Sequence, residues 1–275
     1  MDSPIEDQNS DLNFRNFEKK DNKNVIECYK KQRTYQTVEY VLKTRNKYCI
    51  FLKKNKFWEL FDMLKDFVDL SDPDISLPNQ QHLFQTAEGL RKDGHPDWMQ
   101  LTGLIHDLGK ILYKKGCNQD GTSMKEQWGI VGDTYAIGCK IPDSIVYPEF
   151  NILNPDMKHN IYSTTLGIHQ KNIGLDNILF SFGHDEYLYQ LLKFNNVKLP
   201  KEAYYIIRYH SCYLWHKENE YINFENEEDK KYKEKVKLFN KYDLYTKENK
   251  IYNYDDMKKY YDPIVKKYFK DEIYW

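Results

Sequence analysis

Between Trp98 and Leu112 the apolar residues Trp98, Leu101, Leu104, Ile105, Leu108, Ile111 and Leu112 recur at intervals of mostly three and four, which is the period of one face of an α-helix. This stripe constrains the chain most, because whatever packs on it must offer an apolar face of its own. Those faces are helical as well. Phe57, Leu60, Phe61, Leu64, Phe67 and Val68 form a second stripe, and shorter ones pass through His184, Leu188 and Leu191, through Ala203, Ile206, Ile207 and His210, and through Val236, Phe239 and Asp243.

The flanking residues place the helix ends. Val25 to Leu42 reads as one helix, with Tyr29, Arg33, Gln36 and Tyr40 on a common face. Pro78 suits the first turn of a helix over QQHLFQTAEGLRKDG that ends near Gly94. Asp97 is positioned to cap the helix of the main stripe, and Ser181 to cap SFGHDEYLYQLLK, where the acids Asp185 and Glu186 fall in the first turn. Tyr260 to Trp275 reads as a last helix with an aromatic tail. Residues 113 to about 175 are irregular and rich in Gly, Pro, Asn and Asp; they read as loops over a pocket, with short helices or a small hairpin. HKENEYINFENEEDKK reads as a charged, solvated linker. Strand signals are short and confined to the loop region, so the fold class is all-α.

No Pro/Gly/Ser-rich linker divides the 275 residues, so a single domain over 25–275 is expected, preceded by a flexible arm, 1–24, that Phe14, Arg15 and Phe17 dock in part. Forty-one Lys and Arg balance 42 Asp and Glu to a formal charge of -1, which gives no global field for nucleic acid or for a membrane. The start, MDSPIEDQNSDLNF, is polar, and no apolar run approaches the roughly 18 residues of a membrane span. Five scattered cysteines without a CxxC fit reduced thiols in the cytoplasm. The 24 tyrosines are attributed to codon bias and not to base stacking.

Chemistry enters through polar residues on apolar faces. His82, His184 and His210 each lie on the inward side of a helix, Asp243 does so on a fourth, and His106 and Asp107 occupy a second face of the main-stripe helix. One such histidine is ordinarily a satisfied core residue, but an inward carboxylate is costly unless paired or metal-bound. Helices that bring several His and Asp inward are how bundles build metal sites. Asp107, with two oxygens, suits a bridge between two ions, and six ligands exceed what one catalytic ion with open positions needs. A structural polar network with one metal or none is the competing reading. Lys110, one turn past His106, either presents its ammonium to a metal-bound ligand or snorkels at the surface. Gly132, Asp133 and Thr134 read as a tight turn whose acid either binds hydroxyls or serves simple turn chemistry, the reading that spacing alone favours. His95, His159, His169 and His216 are assigned no metal.

Six segments, QTAEGLRKDGHPDW, LTGLIHDLGK, VGDTYAIGC, GHDEYLYQLLKFN, AYYIIRYHSCYLWH and FNKYDLYTK, occur in an order that resembles the inositol oxygenase family of the HD-domain group. The resemblance runs from about Phe14 to the C-terminus. It implies a single HD-domain-like helical domain with a di-iron site in the helical core and a few short strands in loops. It places one iron on His82, His106, Asp107 and Asp243 and the other on Asp107, His184 and His210, as a mixed-valent Fe(II)/Fe(III) pair. Asp107 and Lys110 become the catalytic residues. Substrate contacts fall on Arg15, Asp69, Lys110, Gly132, Asp133, His210, Ser211 and Lys247. The implied reaction is conversion of myo-inositol and O2 to D-glucuronate in a cytoplasmic monomer. No nicotinamide is needed, in keeping with the lack of a dinucleotide fingerprint. The segment between Lys110 and Gly132 is longer than is usual in the family and reads as an outward loop. An HD-type metal-dependent phosphohydrolase is the alternative, disfavoured by the few cationic groups available for phosphate. A scaffold or sensor without turnover is a further one.

Overall fold

A computed structural model describes residues 17, 22–74, 77–245 and 250–275. Among them run the helices α1 (Lys23–Tyr35), α2 (Val38–Tyr48), α3 (Phe57–Asp62), α4 (Asn79–Lys92), α5 (Asp97–Ile105), α6 (His184–Phe194), α7 (Lys201–Tyr209), α8 (Tyr213–His216), α9 (Glu227–Tyr245) and α10 (Tyr254–Tyr268). The all-α expectation holds: the sheet among the described residues is one antiparallel pair, β1 (Lys54–Asn55) with β2 (Ile273–Tyr274), Lys54 facing Tyr274. This pair is not in the irregular segment, where an isolated bridge joins Ala136 to Phe180 and no hairpin forms among the described residues. It arises because the last residues lie along Lys53 to Asn55, with Lys53 and Trp275 exchanging backbone hydrogen bonds and the Trp275 indole donating to Asn55.

Contacts among the long helices close a ring, in which α5 packs on α4 and α7, and α9 packs on α7 and α4. Helix α6 packs against α7 and the 3-10 turn Leu108–Lys114. The main stripe faces this core: Leu101, Leu104, Ile105, Leu108, Ile111 and Leu112 are all buried. Burial of about 1.5–3 kcal/mol per large aliphatic side chain makes this ring the principal source of stability.

Several element boundaries differ from those predicted. The single helix over 25–42 is broken at Gln36, because the Gln36 side chain leaves the stripe to bond both the backbone N–H and the carbonyl of Phe182, and Thr37 then caps α2 by accepting from Tyr40 N at 3.1 Å. The residue at the α5 cap position is Pro96, with Asp97 inside the first turn. Gly183 precedes α6, while Ser181 Oγ accepts from Tyr135 N. The last helix begins at Tyr254, capped by Asn253. The segment read as a solvated linker buries His216, Tyr221, Phe224, Glu225 and Asp229. Glu225 and Asp229 are turned inward because they have donors there: Trp215 Nε1 to Glu225, and Leu175 N and Asn226 N to Asp229. The long segment after Lys110 is not simply outward either, since Thr122, Gln127, Trp128, Ile130 and Val131 are buried and Tyr40 and Tyr48 hydroxyls hold Asp120. Phe17 packs edge-on to Tyr29 and Tyr147, with ring centroids 5.5 and 5.7 Å apart. Most of the predicted arm, including Arg15, and also Lys247, lies outside the described residues.

Candidate metal centre

The predicted helix of the main stripe ends at Ile105, not beyond Leu112, and it ends on a ligand candidate. His106 is the C-cap of α5, and its Nδ1 lies 2.9 Å from the carbonyl of Gly103, three residues earlier. The same arrangement recurs at the end of α7, where His210 is the C-cap and Nδ1 lies 3.1 Å from the Ile207 carbonyl. A carbonyl only accepts, so each ring carries its proton on Nδ1 and turns Nε2 toward the ring of helices. One bond therefore satisfies an orphan carbonyl of the last turn and fixes the imidazole.

His184 is the first residue of α6, and both its backbone N–H and its Nδ1 meet the carbonyl of Ile130, at 2.8 and 2.7 Å. The 3-10 turn after Asp107 can pass here only because residue 109 is glycine: a Cβ on Gly109 would lie 2.1 Å from the His184 carbonyl oxygen. His82 projects from α4 and Asp243 from α9, and His82 Nε2 lies 2.9 Å from Asp243 Oδ1.

The six side chains converge. On one side His82 Nε2 and His106 Nε2 are 3.1 Å apart, and His106 Nε2 is 3.3 Å from Asp243 Oδ1. On the other, His184 Nε2 and His210 Nε2 are 3.3 Å apart. Asp107 lies between: Oδ2 is 3.8 and 3.7 Å from the first two ring nitrogens, and Oδ1 is 3.1 and 3.6 Å from the second two. All six are buried. Imidazole nitrogens and carboxylate oxygens this close suit divalent first-row cations, and the donor groups His82–His106–Asp243, His106–Asp107–His210 and His184–Asp185–His210 each gather within 4.8 Å.

Charges in the site are strongly coupled. Burial would raise the Asp107 carboxyl, but the Lys110 ammonium and the surrounding imidazoles hold it well below the usual range, and His106 and His82 hold Asp243 down in the same way. Burial lowers the His106 imidazole. At His184 burial also acts to lower the value, but Asp185 and Asp107 outweigh it and raise the imidazole to about 10. A bound cation would take the place of that proton.

Lys110 is buried, not snorkelling, and its three N–H groups have three acceptors: Asp69 Oδ2 at 2.7 Å, Asn79 Oδ1 at 2.8 Å and Asp107 Oδ2 at 2.7 Å. Burial would lower the ammonium; Asp107 and Asp69 raise it instead. Asp69 is fixed in turn by Ser71, whose N–H and hydroxyl both donate to Oδ1.

The donor atoms open into a pocket that is open to solvent. Of the predicted substrate contacts, Asp69, Lys110, Gly132, Asp133, His210 and Ser211 line it together; Arg15 and Lys247 lie outside the described residues. Gly132 has φ +92, which favours glycine, and Asp133 Oδ1 accepts from the Tyr29 hydroxyl at 2.8 Å. Three residues escaped the sequence reading. Asn79 donates to Asp107 Oδ2 at 3.1 Å while accepting from Lys110, Tyr29 lines the pocket, and Asp185 touches the rings of His184 and His210. An Asn after a proline reads as turn chemistry, and an acid in a first turn reads as a partner of the helix dipole. The only signal for either was its place one turn before, or directly after, a candidate ligand.

A family model described as Myo-inositol oxygenase matches residues 22–275. The chain is 42% identical over 267 residues to the protein named Inositol oxygenase of Dictyostelium discoideum, covering 95% of this chain and 89% of that one. It is 44% identical over 255 residues to the Inositol oxygenase of Sus scrofa, covering 91% and 87%, and 40% identical over 267 residues to Inositol oxygenase 1 of Arabidopsis thaliana, covering 95% and 84%. Among the described residues no helix is long and apolar enough to cross a membrane.

Proposed function

The chain belongs to the myo-inositol oxygenase family, and on that premise we propose that it converts myo-inositol and O2 to D-glucuronate and water, a four-electron cleavage of the ring, at a pair of iron ions. The observation that carries this reading is the orientation of Asp107, with Oδ2 turned to His82 and His106 and Oδ1 to His184 and His210. One carboxylate so placed is able to join two ions.

When bound, a mixed-valent Fe(II)/Fe(III) pair would supply the redox chemistry that sets O2 against the substrate. The chain's residues supply placement and charge. An uncharged polyol is held by hydrogen bonds alone, so donors and acceptors must surround it. The Asp133 carboxylate accepts from ring hydroxyls, the backbone turn at Gly132 and the Ser211 hydroxyl add partners, and Arg15 and Lys247 join them by the family resemblance. Lys110 stabilises the negative charge left on a substrate oxygen that has lost its proton. Since its three hydrogens are engaged, it turns to the substrate by releasing Asp69, which keeps both bonds from Ser71. The same reading takes the protein to be a cytoplasmic monomer. Aerobic incubation of the iron-loaded, mildly reduced protein with myo-inositol should yield glucuronate with matching O2 uptake. Phosphate release from nucleotides without glucuronate would replace this reading with a phosphohydrolase.

A further inference from the structure

The six ligands implied by the family leave one carboxylate unexplained. Asp185 is only 2% exposed, and its Oδ1 lies 2.7 Å from His184 Nε2 and 3.5 Å from His210 Nε2. Asp107 Oδ1 lies 3.1 and 3.6 Å from the same two nitrogens. Asp185 therefore stands to this histidine pair as closely as the bridging carboxylate does. Donors that share one first-row ion at about 2.1 Å lie roughly 3.0–3.4 Å from their neighbours, and these separations bracket that range.

A role in capping α6 does not account for the placement. An acid at the second position of a helix normally answers the free N–H groups and the positive end of the dipole. The hydrogen bonds of Asp185 come instead from side chains outside the helix: Thr134 Oγ1 donates to Oδ2 at 2.8 Å, and Ser211 Oγ donates to Oδ1 at 3.4 Å. Thr134 and Ser211 are themselves tied, Thr134 N to the Ser211 carbonyl at 3.0 Å. The carboxylate is thus held from behind, with one oxygen directed at the two ring nitrogens. Residues that orient ligands commonly govern metal affinity in this way.

We infer that Asp185 is a ligand of the His184–His210 metal in the substrate-free protein, positioned by Thr134 and Ser211. With Asp107 Oδ1 it completes a set of four protein donors on that side. The inference rests on the two-metal reading above, and it adds a residue that reading does not use. It also assigns Thr134 a positioning role, and it means that a substrate oxygen entering beside Ser211 meets a carboxylate already in place.

The test is an anaerobic Fe(II) titration of the metal-stripped full-length chain. Two equivalents bound by the wild type secure the two-metal reading independently of Asp185; a single equivalent would defeat that reading, and this inference with it. In Asp185→Asn the first equivalent should bind as in the wild type, and the second about tenfold or more weakly. Two equivalents bound with wild-type affinities would overturn the inference and leave Asp185 as a counter-ion of the protonated imidazole only. Should Asp185→Asn not fold by circular dichroism, Thr134→Val decides: weakening confined to the second equivalent supports the role, and unchanged binding refutes it.

Discussion

Lys110 offers the most exacting check of how the centre is held. Replacement by Met keeps the length of the side chain and removes the ammonium, and with it three hydrogen bonds, to Asp69, Asn79 and Asp107. Two of those acceptors are buried carboxylates, of which Asp69 loses its ion-pair partner and Asp107 keeps only the surrounding imidazoles. Breaking a buried ion pair by removing one partner costs about 3–5 kcal/mol. At about 2–4 °C per kcal/mol for a chain approaching this size, the metal-free variant should melt roughly 6–20 °C below the wild type at neutral pH. The pH dependence carries a sign. Burial raises the Asp69 and Asp107 carboxyls, but Lys110 holds both below the ordinary value of 3.8. Groups lowered in the folded state add stability that is fully present above the unfolded value and is lost as pH falls through the folded one. The stability that these two carboxylates carry in the wild type should therefore hold down to about pH 4 and be lost below. In Lys110→Met the folded values rise, so the loss begins above pH 4. Thermal melts of both proteins, metal-free, from pH 3 to 8 measure this directly. A variant melting within about 2 °C of the wild type, with the same acid limb, would refute the claim that Lys110 keeps these carboxylates ionised. On the proposed reading, iron loading should narrow the deficit without closing it, because ions held by Asp107 would neutralise that carboxylate and not Asp69. Turnover should fall about 10²–10³-fold at unchanged iron content if the ammonium also stabilises charge on the substrate; iron lost in proportion to activity would make the lysine structural.

Other perturbations separate the remaining parts. If the proposed pair of irons is bound, Asp107→Ala should abolish magnetic coupling between them, because no other carboxylate faces both pairs of histidines among the described residues; a coupled signal by electron paramagnetic resonance would defeat the bridging role. Gly109→Ala places a Cβ 2.1 Å from the His184 carbonyl, which is backbone and does not yield cheaply. Metal on the His184 side should therefore be lost along with stability, and a variant with full metal content would show that the 3-10 turn moves aside. The Lys115 ammonium, lowered to about 8 by burial and by Lys53, is near half neutral at pH 8. Limiting acylation at that pH, read by peptide mass spectrometry, should modify it ahead of the exposed lysines.

How far the sequence could be read depended on whether the signal lay in a period or in a contact. The main stripe from Leu101 to Leu112 is buried as its spacing predicts, and the ligand candidates follow from polar residues on such stripes. The same spacing concealed the helix end at Ile105, because a 3-10 turn continues to bury Leu108, Ile111 and Leu112. Two-residue strands such as Lys54–Asn55 and Ile273–Tyr274 have no alternation to detect. Residues 216–231 read as solvated from their charge, yet Glu225 and Asp229 find indole and backbone donors that only the folded chain provides. Asn79 and Asp185 belong to the same class. Their meaning lies in partners 28 and 26 positions away, Asp107 and Ser211.

The way the helices end explains why a centre this charged is sustainable inside an all-α core. Helices α5 and α7 terminate on His106 and His210, so two C-terminal ends, which favour positive charge by about 0.3–1 kcal/mol each, meet at the site. The histidines cap those ends through Nδ1, so the local cost of stopping each helix is met by the same residue that offers Nε2. Helix α6 does the reverse, bringing its positive end in with His184. By itself that end would oppose a cation there. Asp107 Oδ1 and Asp185 Oδ1 are the two carboxylate oxygens drawn up to His184 Nε2, at 3.1 and 2.7 Å, and together they reverse the sign of the field. Each pair of histidines thus has a carboxylate of its own beside the shared Asp107, Asp243 on His82 and His106 and Asp185 on His184 and His210, and on the side entered by the α6 N-terminus Asp185 also offsets the positive end of that helix.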